Sequence, residues 1–239
     1  MKALLPITGA LILAACSREE TPEAAPSPTA TPAAAMPAKP RTMIAADFAP
    51  DSLGARIAGL EVADAAVGGK RRPIARVTAY VACAKAVTVC DPATLPAGTK
   101  YTYVLTITPV GPDEAPATPA ATPPPVALVV PVAGALATMA PVPGFAGAVG
   151  YSRSEAVSAL GAEDAISVTL DQGRIVWRAR DGAQWAKGKP ITIWWQSTQP
   201  PAAELTPAYQ LAAGDAHPTV EAPFPAAAAA QPPKSTPAT

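Results

Sequence analysis

Aromatic and basic side chains are concentrated in one stretch towards the C-terminal end of the sequence. All four tryptophans fall within 19 residues: Trp177, Trp185, Trp194 and Trp195. The basic residues among them are Arg174, Arg178, Arg180, Lys187 and Lys189. An exposed tryptophan beside cationic groups suits contact with a carbohydrate, a peptide or an anionic surface. The alternative is structural, with the rings covered by a core or by the C-terminal tail and the arginines stacked over them.

Trp194 and Trp195 are neighbours in a stretch that reads as a β-strand. Adjacent side chains on a strand point to opposite faces of the sheet. Trp195 is in phase with Ile191 and Ile193 and is predicted to enter the core. Trp194 is in phase with Thr192 and is predicted to face outward. The candidate residues for binding a ligand or partner are therefore Trp194, Trp177, Trp185, Arg178 and Arg180.

Residues able to catalyse a reaction are sparse. The only histidine, His217, lies in a proline-rich segment near the C-terminus, so no Ser-His-Asp triad, Cys-His dyad or histidine-based zinc site is predicted inside the fold. Glycine-rich residues 144–150 lack the spacing of a phosphate-binding loop. Glu163 and Asp164 precede a strand, where carboxylates usually face water. We predict no enzyme activity, catalytic residue, metal or cofactor, and a small carboxylate-based hydrolase is the less favoured alternative.

The N-terminus carries a different signal. Met1 and Lys2 are followed by residues 3–15, which are apolar except for Thr8. This run is shorter than the roughly 20 residues needed to cross a bilayer, and it is typical of a cleaved signal peptide over residues 1–15. The sequence Leu13-Ala14-Ala15-Cys16 resembles the lipobox of bacterial lipoproteins. The resemblance implies that Cys16 is acylated and that its lipid holds the mature protein on a membrane.

The residue after the lipobox cysteine implies a destination. In lipoproteins with this box, an aspartate at that position commonly retains the protein at the inner membrane, and this chain has Ser17 there. The resemblance therefore implies the outer membrane, with the protein facing the periplasm or the cell surface.

Export also bears on the remaining cysteines, because thiols are oxidised outside the cytoplasm. Cys83 and Cys90 have six residues between them. We predict a disulfide that closes a small loop. A redox pair would more often have two intervening residues and a nearby activating charge.

Composition sets the domain boundaries. The chain has 18 basic and 18 acidic residues, and removal of Lys2 with the signal peptide leaves 17 basic residues and a net charge of minus one. Such a chain is not a general nucleic-acid binder. Its 31 prolines are clustered. We predict a lipidated proline- and alanine-rich tether over residues 16–41, a β-rich domain over 42–201 with a proline-rich loop at 109–125, and a largely disordered tail over 202–239.

Alternating apolar and β-favouring residues predict a mainly β fold, a β-sandwich-like domain with one short helix and disordered proline- and alanine-rich segments on either side. The helix is predicted to start at a capping box, Ser152 to Glu155, and to end at Gly161. The loop at 109–125 is either a hairpin tip within one domain, which we favour, or a border between two small domains. The predicted strands are 56–62, 74–83, 101–108, 126–132, a hairpin of 166–170 and 174–180, and 191–197.

The segment Leu95-Pro96-Ala97-Gly98-Thr99-Lys100-Tyr101 is similar to the tyrosine corner of fibronectin type III and related sandwich domains. The resemblance implies that the Tyr101 hydroxyl bonds a nearby backbone group. The family's proline usually lies two residues after the leucine, whereas Pro96 follows Leu95 directly. The motif concerns packing and implies no function.

Two functions fit these features. The first is a lipid-anchored cell-envelope lipoprotein that acts as a non-catalytic interaction or accessory module for an envelope protein. The second is a lipoprotein that binds glycan or peptide through the tryptophan-rich region 174–196. In both, the chain meets the membrane through its N-terminal lipid and has no nucleic-acid partner.

Overall fold

The computed structural model describes residues 39–69, 72–110, 135–180, 185–212 and 217–226. The predicted signal peptide, Cys16, nearly all of the tether, the loop after residue 110 and the strand predicted at 126–132 lie outside these residues. All described residues belong to one compact unit, Pro37–Thr239.

Thirteen strands and a single α-helix make up the regular structure of the described residues. In chain order they are β1 (Arg41–Met43), β2 (Ala46–Asp47), β3 (Leu53–Arg56), β4 (Val62–Gly69), β5 (Arg72–Ala84), β6 (Tyr101–Pro109), β7 (Ala135–Thr138), β8 (Phe145–Tyr151), α1 (Arg153–Leu160), β9 (Ile166–Asp171), β10 (Arg174–Ala179), β11 (Ile191–Ser197), β12 (Thr206–Ala212) and β13 (Thr219–Ala222). A short 3-10 turn, Pro50–Ser52, precedes β3.

The strands form two sheets that pack face to face, which confirms the predicted sandwich-like, mainly β fold. A six-stranded sheet has the order β1-β9-β10-β7-β12-β13. A seven-stranded sheet has the order β2-β8-β11-β6-β5-β3, with β4 also paired to β5. Strands from both sides of residues 111–134 pair within the second sheet, because β6 lies beside β11. The described chain is therefore one domain with no border at this segment.

An aromatic cluster fills the space between the sheets. The rings of Tyr103 and Trp195 stack with centroids 4.4 Å apart, and Phe224 contacts Trp195 at 5.8 Å. The indole N–H of Trp195 donates to the Tyr209 hydroxyl across the sheets, at 3.0 Å. Since Tyr103 and Trp195 lie on the seven-stranded sheet and Tyr209 on the other, this cluster joins the two layers.

The predicted helix is confirmed at both ends. The Ser152 hydroxyl accepts a hydrogen bond from the Glu155 amide, and Gly161 ends the helix in the left-handed conformation, with φ of 88°. The Glu155 carboxylate differs from a capping box, because it accepts from the Thr192 amide on β11, at 2.5 Å. The helix start is thereby fastened to the seven-stranded sheet.

Most predicted strands correspond to observed ones, and β11 has the predicted bounds. The prediction for Arg56 to Val62 is wrong, because β3 ends at Arg56 and β4 begins at Val62. The chain turns between them at Gly59, with φ of 79°. Ile57 and Leu60 lie in this turn, and their side chains are buried in the core. Their apolar character therefore reflects packing of the turn and not a strand.

The prediction for the C-terminal segment is also wrong at residues 206–212 and 219–222, since β12 and β13 pair with each other and β12 pairs with β7. The domain therefore extends beyond residue 201. Tyr209, Leu211 and Val220 are buried. These three side chains bury apolar surface that a proline- and alanine-rich composition was not expected to bury. Pro218 and Pro223 flank β13, where a missing amide is tolerated, and Pro207 is the second residue of β12.

Cys83 and Cys90 are joined by a disulfide with a Cα–Cα distance of 5.7 Å. Both cysteines are buried in the core, with Cys83 near the end of β5 and Cys90 in the segment that follows it. The tyrosine-corner resemblance of Leu95 to Tyr101 stays a prediction, since no hydrogen bond of the Tyr101 hydroxyl is seen among the described residues. The hydroxyls of Tyr103 and Tyr151 instead donate to the carbonyls of Gln199 and Glu163.

Candidate binding face

Three of the four tryptophans are interior. Trp195 is fully buried, Trp177 is 2% exposed and Trp185 is 7% exposed. The prediction that Trp195 enters the core is confirmed. Trp177 and Trp185 are excluded as contact residues, because almost none of either side chain reaches solvent.

Hydrogen bonds explain why these indoles are stable inside the protein. The Trp177 N–H donates to the Gly150 carbonyl of the opposite sheet at 3.1 Å, and the Trp185 N–H donates to the Lys189 carbonyl at 2.7 Å. A buried indole needs such an acceptor. Sequence alternation alone did not reveal these acceptors, since they lie on other elements.

A small apolar cavity of about 20 Å³ lies beside these two rings. Its lining is entirely apolar: Ile107, Leu136, Leu160, Ile166, Trp177, Ala179, Trp185, Ile191 and Ile193. The cavity has space for about one water molecule but offers no polar side chain to hold it. We regard it as a packing gap of the core.

The two candidate arginines are exposed, but they do not join Trp194. Arg178 alternates with the buried Trp177 on β10 and so projects from the outer face of the six-stranded sheet. Arg180 follows that strand and pairs with Asp164 at 2.5 Å. Trp194 alternates with Trp195 on the other sheet, so its side chain lies on the opposite side of the sandwich. The predicted tryptophan–arginine site is therefore not formed.

Trp194 is part of a regular surface on the seven-stranded sheet. The registers of β5, β6 and β11 place Tyr80, Val104 and Trp194 in one cross-strand row. A row on one side contains Thr78, Thr106 and Thr192, and a row on the other contains Ala82, Thr102 and Gln196. We call the eight larger side chains the threonine face: Thr78, Tyr80, Thr102, Val104, Thr106, Thr192, Trp194 and Gln196.

Burial varies across the threonine face. Thr78 is exposed, while Tyr80, Thr106, Trp194 and Gln196 are partly exposed. Thr102, Val104 and Thr192 are buried. The face thus presents two aromatic side chains on either side of a covered aliphatic one.

Neighbouring polar groups on the face hydrogen-bond to one another. The hydroxyls of Thr106 and Thr192 are 2.8 Å apart, and the Gln196 amide donates to the Thr102 hydroxyl at 3.2 Å. These cross-strand pairs hold the side chains in fixed positions. Each hydroxyl keeps further donor or acceptor capacity, so the exposed ones can also bond a ligand.

The indole N–H of Trp194 is the one buried side-chain polar atom without a hydrogen-bond partner in the described part of the chain. It faces Gly150 on β8, where an added Cβ would lie 1.8 Å from the Ala46 carbonyl oxygen and 2.9 Å from this nitrogen. Gly150 is therefore required for the close approach of β2 and Trp194. An unpaired buried N–H costs about 1–3 kcal/mol.

Two arginines near the threonine face are paired with carboxylates. Arg56 lies over the Tyr80 ring, 3.7 Å from its centroid, and pairs with Glu61 at 3.7 Å. Arg76 on β5 pairs with Asp64. Burial raises the pKa of Tyr80 despite the nearby Arg56 guanidinium, so its hydroxyl stays protonated at neutral pH.

Tyr80 and Arg56 were not predicted as site residues. Tyr80 lies within a predicted strand, but only strand order and register show that it shares a row with Trp194. No pattern local to residues 74–83 contains that information.

The described residues contain no cluster of three or more His, Cys, Asp or Glu side chains that could hold a metal ion. The one helix in this described region is neither long nor apolar enough to cross a bilayer. His217 is exposed just before β13.

No protein-family model, curated protein or solved structure matches this chain.

Proposed function

We propose that this protein is a lipid-anchored cell-envelope lipoprotein whose β-sandwich acts as a non-catalytic interaction module. The anchor is proposed from the resemblance of Leu13 to Cys16 to a lipobox, and the outer membrane from Ser17. The module contacts another envelope component through the threonine face.

The observation that carries the interaction role is the position of Trp194. Three tryptophans are buried with their N–H groups bonded, whereas Trp194 is partly exposed with its N–H unpaired. Tryptophan is enriched at contact surfaces, because its large side chain can be partly buried and partly exposed. Departures from regular packing tend to occur where a side chain serves binding.

Membrane anchoring is tested by Cys16→Ala. The variant loses the acylated thiol, so we expect unlipidated protein in the soluble periplasmic fraction or unprocessed precursor. Metabolic labelling with a fatty acid and fractionation of the envelope measure both results. A processed, membrane-bound Cys16→Ala protein would contradict the proposal.

Ser17→Asp is the matched variant for destination. It retains the lipidated cysteine, so labelling should be unchanged while the protein moves from the outer to the inner membrane fraction. An unchanged distribution across a density gradient would contradict the proposed sorting.

A further inference from the structure

We propose that the threonine face binds an uncharged, extended glycan chain, with a pyranose ring stacked on Trp194. This inference rests on the proposed interaction role and names its ligand class. Four features of the face support it: its aromatic spacing, its aligned polar groups, its charge balance and its position within the sheet.

The aromatic side chains are spaced for more than one sugar ring. Tyr80 and Trp194 are two strands apart in the same row, which corresponds to about 10 Å at the usual interstrand distance. This separation is comparable to the length of a disaccharide. One ring of a chain crossing the strands would cover Trp194. Another would reach Tyr80, where the Arg56 guanidinium lies over the aromatic ring and would donate hydrogen bonds to the sugar hydroxyls.

The polar groups suit hydroxyl recognition. The exposed hydroxyl of Thr78 and the partly exposed groups of Thr106 and Gln196 lie on either side of the aromatic row. Fixed hydroxyl and amide groups beside an aromatic platform bond the edges of a sugar ring while its apolar face stacks. Because Thr106 and Gln196 are bonded to neighbours, little side-chain entropy is lost on binding.

The charge balance favours a neutral chain. Arg56 and Arg76, two basic residues that border the face, are each paired with a carboxylate, Glu61 and Asp64. An anionic polymer would have to compete with these carboxylates. The exposed Arg178 is on the other side of the sandwich and adds no positive charge here.

The position of the face in the sheet disfavours an extended peptide. Peptides that add to sheets use unpaired backbone groups at an edge strand. β6 and β11 each have a partner strand on both sides, so their backbone groups are engaged in the ladder. Recognition on this face must therefore come from side chains, which suits stacking and hydroxyl contacts.

The test uses the purified full-length lipoprotein in detergent micelles, titrated with chitohexaose, cellohexaose and mannohexaose by isothermal calorimetry. We expect at least one neutral hexasaccharide to bind the unsubstituted protein. Its affinity for Trp194→Ala is expected to be lower by about tenfold or more, as for the loss of an aromatic hot spot. Trp194→Phe retains a smaller ring and is expected to give an intermediate affinity. Val176→Ala, on the outer face of the other sheet, is the matched control and is expected to bind like the unsubstituted protein.

Three results would overturn the inference: no binding of any neutral hexasaccharide, equal binding by Trp194→Ala and the unsubstituted protein, or tighter binding of a polyanionic hexasaccharide that weakens as salt is added. Thermal melts check that each variant is folded, and Trp194→Phe replaces Trp194→Ala if the latter is not. The Cys16→Ala protein is titrated in parallel. Anchoring and glycan recognition can then fail independently.

Discussion

Trp194 and Trp195 are chemically identical neighbours with opposite environments. Trp195 stacks on Tyr103 and bonds Tyr209 inside the sandwich. Trp194 lies on the outer face, partly exposed, with its N–H unpaired. The same substitution at the two positions should therefore have different consequences.

We expect Trp195→Ala to lower the free energy of unfolding by about 3–5 kcal/mol, because it leaves a large gap between the sheets. Trp194→Ala removes a partly exposed ring together with its unpaired N–H, so we expect a change of less than about 1 kcal/mol. Urea denaturation followed by circular dichroism measures both. Equal, large losses at the two positions would mean that both rings are structural.

The buried tyrosines make stability depend on alkaline pH. Burial raises the pKa values of Tyr103 and Tyr209, and the charge of Tyr209 would raise that of Tyr103 further. Their pKa values in the folded state therefore exceed the unfolded value of about 10. Since the unfolded chain loses these protons first, the associated stability is complete below about pH 10 and falls as the pH rises beyond it.

The expected result is a free energy of unfolding that changes little to about pH 9 and declines above about pH 10. Urea titrations across this range measure it. Tyr209→Phe should reduce the slope, since one buried phenol is removed. If the free energy of unfolding of Tyr209→Phe fell with pH as steeply as that of the unsubstituted protein, the raised pKa of Tyr209 would not be a cause of the alkaline loss of stability.

At the residue scale, alternation was sufficient to place Trp195 inside and Trp194 outside, because a strand offers only two sides. It did not place Trp177 and Trp185. Their burial depends on acceptors supplied by Gly150 and by the Lys189 carbonyl, and no local pattern specifies such contacts. Arg178 was predicted as a neighbour of Trp194 from sequence distance, but the strands that carry them belong to different sheets.

At the scale of elements, the C-terminal strands complete the six-stranded sheet. β12 pairs with β7, and Tyr209, Leu211 and Phe224 pack on the aromatic cluster. Pro201 and Pro225 form a bridge beyond the ends of this pair. The segment therefore belongs to the core even though its composition resembles that of a linker.

Deleting residues 202–239 should prevent folding, because it exposes one side of β7 and removes the ring that contacts Trp195. Deleting only residues 227–239 keeps every described strand and is the matched control. Tryptophan fluorescence and near-ultraviolet circular dichroism distinguish the two. A folded, cooperative 202–239 deletion would show that β12 and β13 are dispensable.

Elements with strong local signals could be predicted from sequence. The β9–β10 hairpin has alternating strands around a turn at Gln172 and Gly173, both with positive φ, and α1 has its cap and its terminal glycine. The division into β3 and β4 could not be predicted, because both pair with one long strand, β5. That arrangement is decided by tertiary packing.

At the scale of the whole molecule, the sandwich has two chemically different outer faces. The threonine face has an aromatic row and paired charges, whereas the outer face of the six-stranded sheet has small and polar residues with the exposed Arg178. Tethering through lipid on Cys16 would keep both faces within the envelope. The proposed function therefore depends on which face makes the contact.

Binding of purified variants to isolated outer membranes with attached cell wall tests this most directly. Three proteins are added in equal amounts: Cys16→Ala, which has no lipidated cysteine and serves as the parent, and the same protein with Trp194→Ala or Val176→Ala added. The bound fraction is measured after sedimentation. Because all three lack Cys16, insertion of a lipid into the membrane does not mask the contact. We expect Val176→Ala to bind like its parent and Trp194→Ala to lose most of its binding while melting normally. Loss of binding in Val176→Ala but not in Trp194→Ala would contradict the account, and so would equal binding by all three.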